Sequence, residues 1–299
     1  MILTKSKACD TQKVLLVGMP GSGKTVLASK LAEKYRLTWI DIERGSSGLY
    51  SLPESWQERI NLISLPDSAS FPVASSTLTD LFKTGKAKIC HAHGKNNCAL
   101  CIKSAPAAFD LLDFSTLNNG DVVVLDTVTQ LGYSILAHTL RNEPIDYKPE
   151  RDDWGSLRRI TEFFCSQFQG ATFNLVVIAH MTEAKMEDGK TKYVPAFGSA
   201  GMSASFAKAF DHVVFCEVKN GKYVAGSMGN YSPAVLTKSR TDIAIEKMAI
   251  PSLIPFFPQP QEAAIVQSQQ DVAVSVVPVA KPASEATTRL LAARASLSK

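Results

Sequence analysis

The sequence predicts an α/β fold with a mostly parallel central sheet flanked by helices, and antiparallel strands near its C-terminal end. Three observations lead there. An apolar run, "KVLLVG" (13–18), passes through a glycine-rich turn into "KTVLASKLAEKY", whose Leu27, Leu31 and alanines keep helical spacing. "DVVVLDT" (121–127) and "NLVVIAH" (174–180) are nearly continuous apolar runs, the pattern of parallel strands covered on both faces. Past residue 210, "HVVFCEV", "KYVAGSM" and "AVLTKSR" are short runs separated by turns such as Asn220-Gly221, which suits antiparallel strands.

Between these landmarks the remaining elements follow in order. "LTWIDIE" (37–43) reads as a strand and "INLISL" (60–65) as a shorter one, after which residues 67–109 break the rhythm. Helical spacing returns after residue 127. "DDWGSLRRITEFFCSQFQG" (152–170) reads as a helix opened by an aspartate cap and closed by Gly170. A polar, glycine-containing loop follows "NLVVIAH". Near residue 251 the composition changes to the proline-rich "IPSLIPFFPQPQE", which places one domain over 1–255 and a tail over 256–299. The tail ends in "SEATTRLLAARASLSK", which reads either as part of a disordered tail or as a short basic amphipathic, partner-binding helix on a flexible leader. No internal repeat is evident.

Composition sets bounds on function. With 299 residues, 45% hydrophobic and 20% charged, the chain is an ordinary globular sequence able to bury a large core. "MILTKSKACD" lacks the apolar run of a signal peptide and no long uninterrupted apolar stretch follows, so a soluble, cytoplasmic protein without membrane contact is expected. A net charge of +4 is too small to argue for nucleic-acid binding, so such an argument must rest on local patches.

"GMPGSGKT", comprising Gly18, Met19, Pro20, Gly21, Ser22, Gly23, Lys24 and Thr25, fits G-x-x-x-x-G-K-[ST] in full, between a predicted strand and a predicted helix. Gly21 and Gly23 let the backbone wrap phosphate oxygens, Lys24 reaches the terminal phosphates of ATP, and Thr25 ligates Mg2+. The acid such a site needs near Mg2+ is Asp126, at the end of "VVVLD". Because Thr127 follows it, a water-activating glutamate must come from elsewhere, and Glu43 is the candidate, at the end of the neighbouring strand. Asp41 shares its strand face.

In this order of motifs the sequence resembles the RecA-type recombinase core: "GMPGSGKT", then "WIDIERG" with its glutamate, then "VVVLDTVTQL", then "LVVIAH" and the late "VLTKSRTDI". The resemblance implies a RecA-like P-loop NTPase core. It is most similar to the phage-encoded minimal RecA-like ATPases, a group that includes single-strand annealing recombination proteins, and covers residues 13–245. The resemblance implies that His180 senses the terminal phosphate and opens a DNA-binding loop. It also implies that Lys238 and Arg240 reach the nucleotide of a neighbouring subunit in a ring or filament. Magnesium-dependent, DNA-stimulated ATP hydrolysis in DNA recombination or repair, by annealing or strand exchange, follows as the expectation. Single-stranded DNA, other copies of the chain and a single-strand binding protein are its expected partners; if phage-encoded, the chain would work in host cytoplasm. The alternatives are a small-molecule P-loop kinase, in which Asp41 orients the acceptor, and a nucleotide-switched helicase loader or adaptor.

Two further stretches bear on partners. In the loop after His180, Lys185, Lys190 and Lys192 are interleaved with Tyr193 and Phe197, a mixture that can pair phosphates and stack bases; an ordinary hairpin turning at Asp188-Gly189 is the alternative. Arg141, Arg151, Arg158 and Arg159 suit DNA, a neighbouring subunit or a solvated face equally. Within the irregular region, "ICHAHGKNNCALC" places Cys90, His93, Cys98 and Cys101 at C-x2-H-x4-C-x2-C, a ligand set for a closed structural Zn2+ site, with His91 an alternative to His93. This knuckle, an insertion over about 86–104, is surrounded by Lys83, Lys86, Lys88, Lys95 and Lys103 with no acid between Leu81 and Phe109, so phosphate or a protein partner could contact it.

Overall fold

The computed structural model describes residues 11–67, 71–104, 108–144, 146–185, 189–229 and 231–260. They belong to the first of two compact units, Met1–Pro260. The tail beyond residue 260, with the C-terminal helix expected in it, lies outside the described residues, as does the turn expected at 188–189 in part, since 186–188 are not described.

In chain order the strands are β1 (Lys13–Val17), β2 (Arg36–Asp41), β3 (Ile60–Ser64), β4 (Lys86–Cys90), β5 (Phe109–Asp113), β6 (Asp121–Asp126), β7 (Asn174–Ala179), β8 (Met181–Lys185), β9 (Thr191–Pro195), β10 (His212–Lys219) and β11 (Lys222–Gly226). The helices are α1 (Lys24–Ser29), α2 (Glu54–Gln57), α3 (Val73–Thr84), α4 (Ala99–Lys103), α5 (Val128–Thr139), α6 (Arg151–Gly170) and α7 (Ala200–Phe206). Seven strands form the main sheet in the order β11-β10-β1-β7-β6-β2-β3, parallel except for the β10–β11 hairpin. Two further hairpins, β4–β5 and β8–β9, stand apart from it.

The β-branched runs form strands because both faces of this sheet are buried, and the alternation of side chains divides them between two cores. Leu15, Val17, Val123, Leu125, Leu175, Val177 and Val213 point into one, where α3, α5 and α6 supply Leu78, Leu81, Leu131, Ile135, Phe164 and Phe168. Val14, Leu16, Val122, Val124, Val176, Ile178 and Val214 point into the other, covered by Leu27, Leu31 and the C-terminal segment. That segment stays packed through Phe256 and Phe257, both buried, and the Tyr35 hydroxyl donates to the Pro258 carbonyl at 3.2 Å.

Four local expectations need correction. "AVLTKSR" is not a strand: β11 already occupies the edge of β10 from Phe215 to Lys219, leaving only its first residues free, and Lys238 makes a single antiparallel bridge to Val213. The α6 helix opens on Glu150 rather than an aspartate cap, with Asp153 accepting from the Glu150 amide at 2.8 Å. The first helix tightens to a 3-10 turn over Lys30–Glu33. The polar stretch after His180 forms an antiparallel hairpin, β8 on β9, and Phe197 beyond it is buried in the core, where it cannot stack on a base.

Candidate nucleotide site and metal-binding knuckle

The parallel strands deliver their C-terminal ends to one edge of the sheet, where ligands of open α/β folds bind. β1 runs into the loop 18–25. Gly21 and Gly23 adopt left-handed φ values of 75° and 85°, and Gly23 caps α1. A Cβ at Gly23 would also lie 2.7 Å from the Tyr223 ring, so glycine serves both the turn and the close approach of the β10–β11 hairpin. The Lys24 ammonium donates to the carbonyls of Gly18 and Met19 at 3.0 and 2.8 Å. Desolvation lowers its pKa, while nearby Asp126 and Glu43 oppose that shift.

Asp126 ends β6 opposite Asp41 of β2. Thr25 Oγ1 donates to Asp126 Oδ2 at 3.2 Å. Burial, then the neighbouring Asp41 and Glu43, push the Asp126 carboxyl up to about 7. A half-buried hydroxyl beside a buried carboxylate crowded by two more acids fits a hard divalent cation, whose charge would offset that crowding. Past β2 the chain curls over the Asp126 carbonyl, which accepts from the amides of Ile42 and Glu43 at 2.7 and 3.2 Å. This turn carries Glu43 to the neighbouring strand. Asp41, buried, accepts from the amides of Gly45 and Ser46 at 3.2 and 3.3 Å, one to each carboxylate oxygen, which ties it to the turn.

His180 follows β7. Its amide donates to Thr129 Oγ1 at 2.9 Å, which fixes the backbone, and its Nε2 meets both Glu43 oxygens at 2.9 and 3.1 Å. The His180 hydrogen bond holds the Glu43 carboxyl below its ordinary range against the cost of desolvation. His180 Nδ1 is buried with no hydrogen-bond partner among the described residues.

Lys24, Thr25, Glu43, Asp126 and His180 therefore converge. Lys238 and Arg240 do not join them. Lys238 Nζ donates to the Phe210 carbonyl, and Arg240 pairs with Asp211 at 2.7 Å, both toward the N-terminal end of β10, away from the P-loop of the same chain. Two recesses that sequence reasoning missed flank the loop. One, of about 590 Å³, lies between Met19–Ser22, Tyr193 and Phe215–Lys219. The other, of about 320 Å³, is bounded by Gly23, Val26, Tyr223, Ile250 and Pro251. Tyr223 and Ile250 are exposed, and their distance in sequence from the motif gave no signal.

In the knuckle, Cys90 ends β4, Cys98 and Cys101 flank the first turn of α4, and His93 lies in the connecting turn. His93 Nδ1 lies 3.8, 3.6 and 3.2 Å from the sulfurs of Cys90, Cys98 and Cys101. Around a tetrahedral zinc, with bonds of roughly 2.0–2.3 Å, such ligands lie about 3.6 Å apart, so the cluster could hold Zn2+. His91 turns away to pair with Asp110 at 3.1 Å, which leaves His93 as the histidine facing the thiols. Thr77 of α3 donates to the Gly94 carbonyl at 3.1 Å and seats the knuckle on the body.

A P-loop bounded by a parallel sheet, with an acid on an adjacent strand end, defines an ATP-binding P-loop ATPase domain. The model of the AAA domain family matches residues 10–241. The chain belongs to that family. Among solved structures it is similar to a prototypical ATPase from the type III secretion system of pathogenic bacteria, with 12% identity and a TM-score of 0.38. The similarity covers 75% of this chain and 55% of that one, so the chain spans about half the length of that structure. No curated protein matches it significantly. Among the described residues no helix is long and apolar enough to cross a membrane.

Proposed function

We propose that the chain hydrolyses ATP with Mg2+ held by Thr25 and Asp126, and couples that turnover to single-stranded DNA in a RecA-like recombination reaction, annealing or strand exchange. The convergence of Lys24, Thr25, Glu43, Asp126 and His180 at one sheet edge carries the hydrolytic part of this reading, and the resemblance of the motif order to the RecA-type core carries the DNA part. Lys24 exchanges its two carbonyl partners for phosphate oxygens and neutralises charge there. Glu43 Oε accepts a proton from the attacking water, so it must first give up part of its hydrogen bonding to His180. His180 directly precedes β8, so its displacement passes to the β8–β9 hairpin. The recess walled by Tyr223 and Ile250 suits a nucleobase, one polar edge against an apolar cleft. Lys238 and Arg240, remote from their own P-loop, are left for the nucleotide of a neighbouring copy in a ring or filament. Bound Mg2+ would supply charge neutralisation to the phosphates. Cys90, His93, Cys98 and Cys101 hold a structural Zn2+, separate from the hydrolytic site.

The deciding measurement is ATP turnover with and without single-stranded DNA, beside small-molecule phosphate acceptors. Stimulation by DNA is expected. Phosphorylation of an acceptor without DNA stimulation would replace this reading with the kinase.

A further inference from the structure

We infer that the knuckle, with the β4–β5 hairpin and the ends of α3, is the main phosphate-backbone surface for single-stranded DNA. This rests on the DNA reading above and assigns it a place. Over residues 81–113 the five lysines at 83, 86, 88, 95 and 103 stand against two acids, Asp110 and Asp113, a net +3 of the formal +4 of the whole chain. A polyanion is therefore drawn to this face more than to the chain at large.

The way these lysines are held supports the assignment. Lys86 is paired with an acid, Asp113, at 2.8 Å. Three others rest on phenylalanine rings: Lys83 lies 5.9 Å from the Phe163 centroid, Lys88 4.4 Å from Phe109, and Lys95 3.8 Å from Phe71. A ring steadies an ammonium through its quadrupole, worth about 0.5–1 kcal/mol at an exposed site, but leaves its net charge intact. Several cations elsewhere sit on carboxylates: Arg36 on Asp121, Arg158 on Glu162, Arg240 on Asp211, and Lys219, which also lies over the Tyr231 ring, on Glu217. Among the described residues, Lys83, Lys88 and Lys95 thus present oriented charge with no carboxylate paired to it, whereas Asp113 holds Lys86 and Asp110 faces His91 on the same hairpin. Lys88 stands opposite Leu111 on the exposed face of the hairpin, and Lys103 is exposed at the end of α4. The rival surface is weaker, because Phe197 is buried and Glu183 lies beside the lysines of β8–β9.

The test is fluorescence anisotropy of a labelled oligothymidylate with the full, zinc-loaded chain and Mg-ATP, titrated at several salt concentrations. Lys88→Gln with Lys103→Gln should weaken binding about tenfold and reduce the logarithmic salt slope by about 1.4, the value for two lost single-strand phosphate contacts. Lys88→Arg with Lys103→Arg should keep wild-type binding, and zinc content should be equal in all. Binding by the glutamine variant within about twofold of wild type at every salt concentration would overturn the inference. If Lys185→Gln with Lys192→Gln carries the loss instead, the surface is wrong while the DNA reading stands. If the wild type binds polyglutamate but no oligothymidylate, both fall and the face belongs to an acidic protein. If the knuckle variant alone loses DNA but ATP turnover never responds to DNA, the surface stands and the coupling falls.

Discussion

The nucleotide edge and the knuckle each bring together side chains that would repel or react if left to themselves, and they do so over different distances. Thr25 meets Asp126 across 101 positions of chain, and Glu43 meets His180 across 137. His93 is three, five and eight positions from the three thiols it faces. The first site exists only when four strand ends are aligned by the sheet, and it stores crowded charge, as Asp126 shows. The second gathers its four side chains from a strand end, a turn and α4, all within residues 90–101. Distance in sequence therefore decides what each depends on: the nucleotide edge on the global fold, the knuckle on local structure and on the Zn2+ proposed for it.

Separate perturbations should therefore split them. Lys24→Ala removes two charge-assisted bonds' worth of phosphate affinity and should weaken ATP binding at least about 100-fold in calorimetry, with zinc content unchanged. Loss of zinc in that variant would mean that the two regions are not independent. Glu43→Gln should lower turnover about 100-fold while ATP affinity stays within about threefold, since a general base acts on the chemical step; normal turnover would move the base elsewhere. The reverse experiment, Cys98→Ser with Cys101→Ser, should release the zinc and cost about 3 kcal/mol, a fall in Tm of roughly 6–10 °C, yet leave ATP affinity within about threefold.

The smallest effect concerns the sheet body. His212 is buried, with Nδ1 near Ser239 and Nε2 near Gln12, both at 3.1 Å, and desolvation pushes its pKa down to about 4. Its neutral form is favoured in the folded state, so its contribution is complete above about pH 6.5 and is lost as pH falls through about 4. Melting curves over that window should flatten in His212→Gln by on the order of 2 kcal/mol, while acid release of zinc follows an unchanged profile. A zinc profile that shifts with His212 would tie the knuckle to the sheet.

The same contrast explains what could be read in advance. The loop 18–25 is contiguous, and the acids and His180 close apolar runs, so the strand pattern itself points to the edge where they meet. The knuckle was legible because its ligands are local. Two kinds of feature were hidden. Which edge of β10 remains free for "AVLTKSR" depends on β11 taking the other residues, a competition no single segment records. Phe197 lies in a polar stretch and Tyr223 in an apolar one, yet the first is buried and the second exposed, because neighbours distant in sequence decide both.

The strand register also says where this chain can lengthen. Asp41, Asp126, Ile178, Leu16 and Val214 form one transverse row across five neighbouring strands. One residue added inside β6 would slide Asp126 out of that row and turn every following side chain to the opposite core. The knuckle falls instead in the crossover that leaves edge strand β3 and returns past β2 to β6, where added length shifts no row. An ancestral chain could gain such a module there, and an engineer could shorten or exchange it there, without moving a single acid.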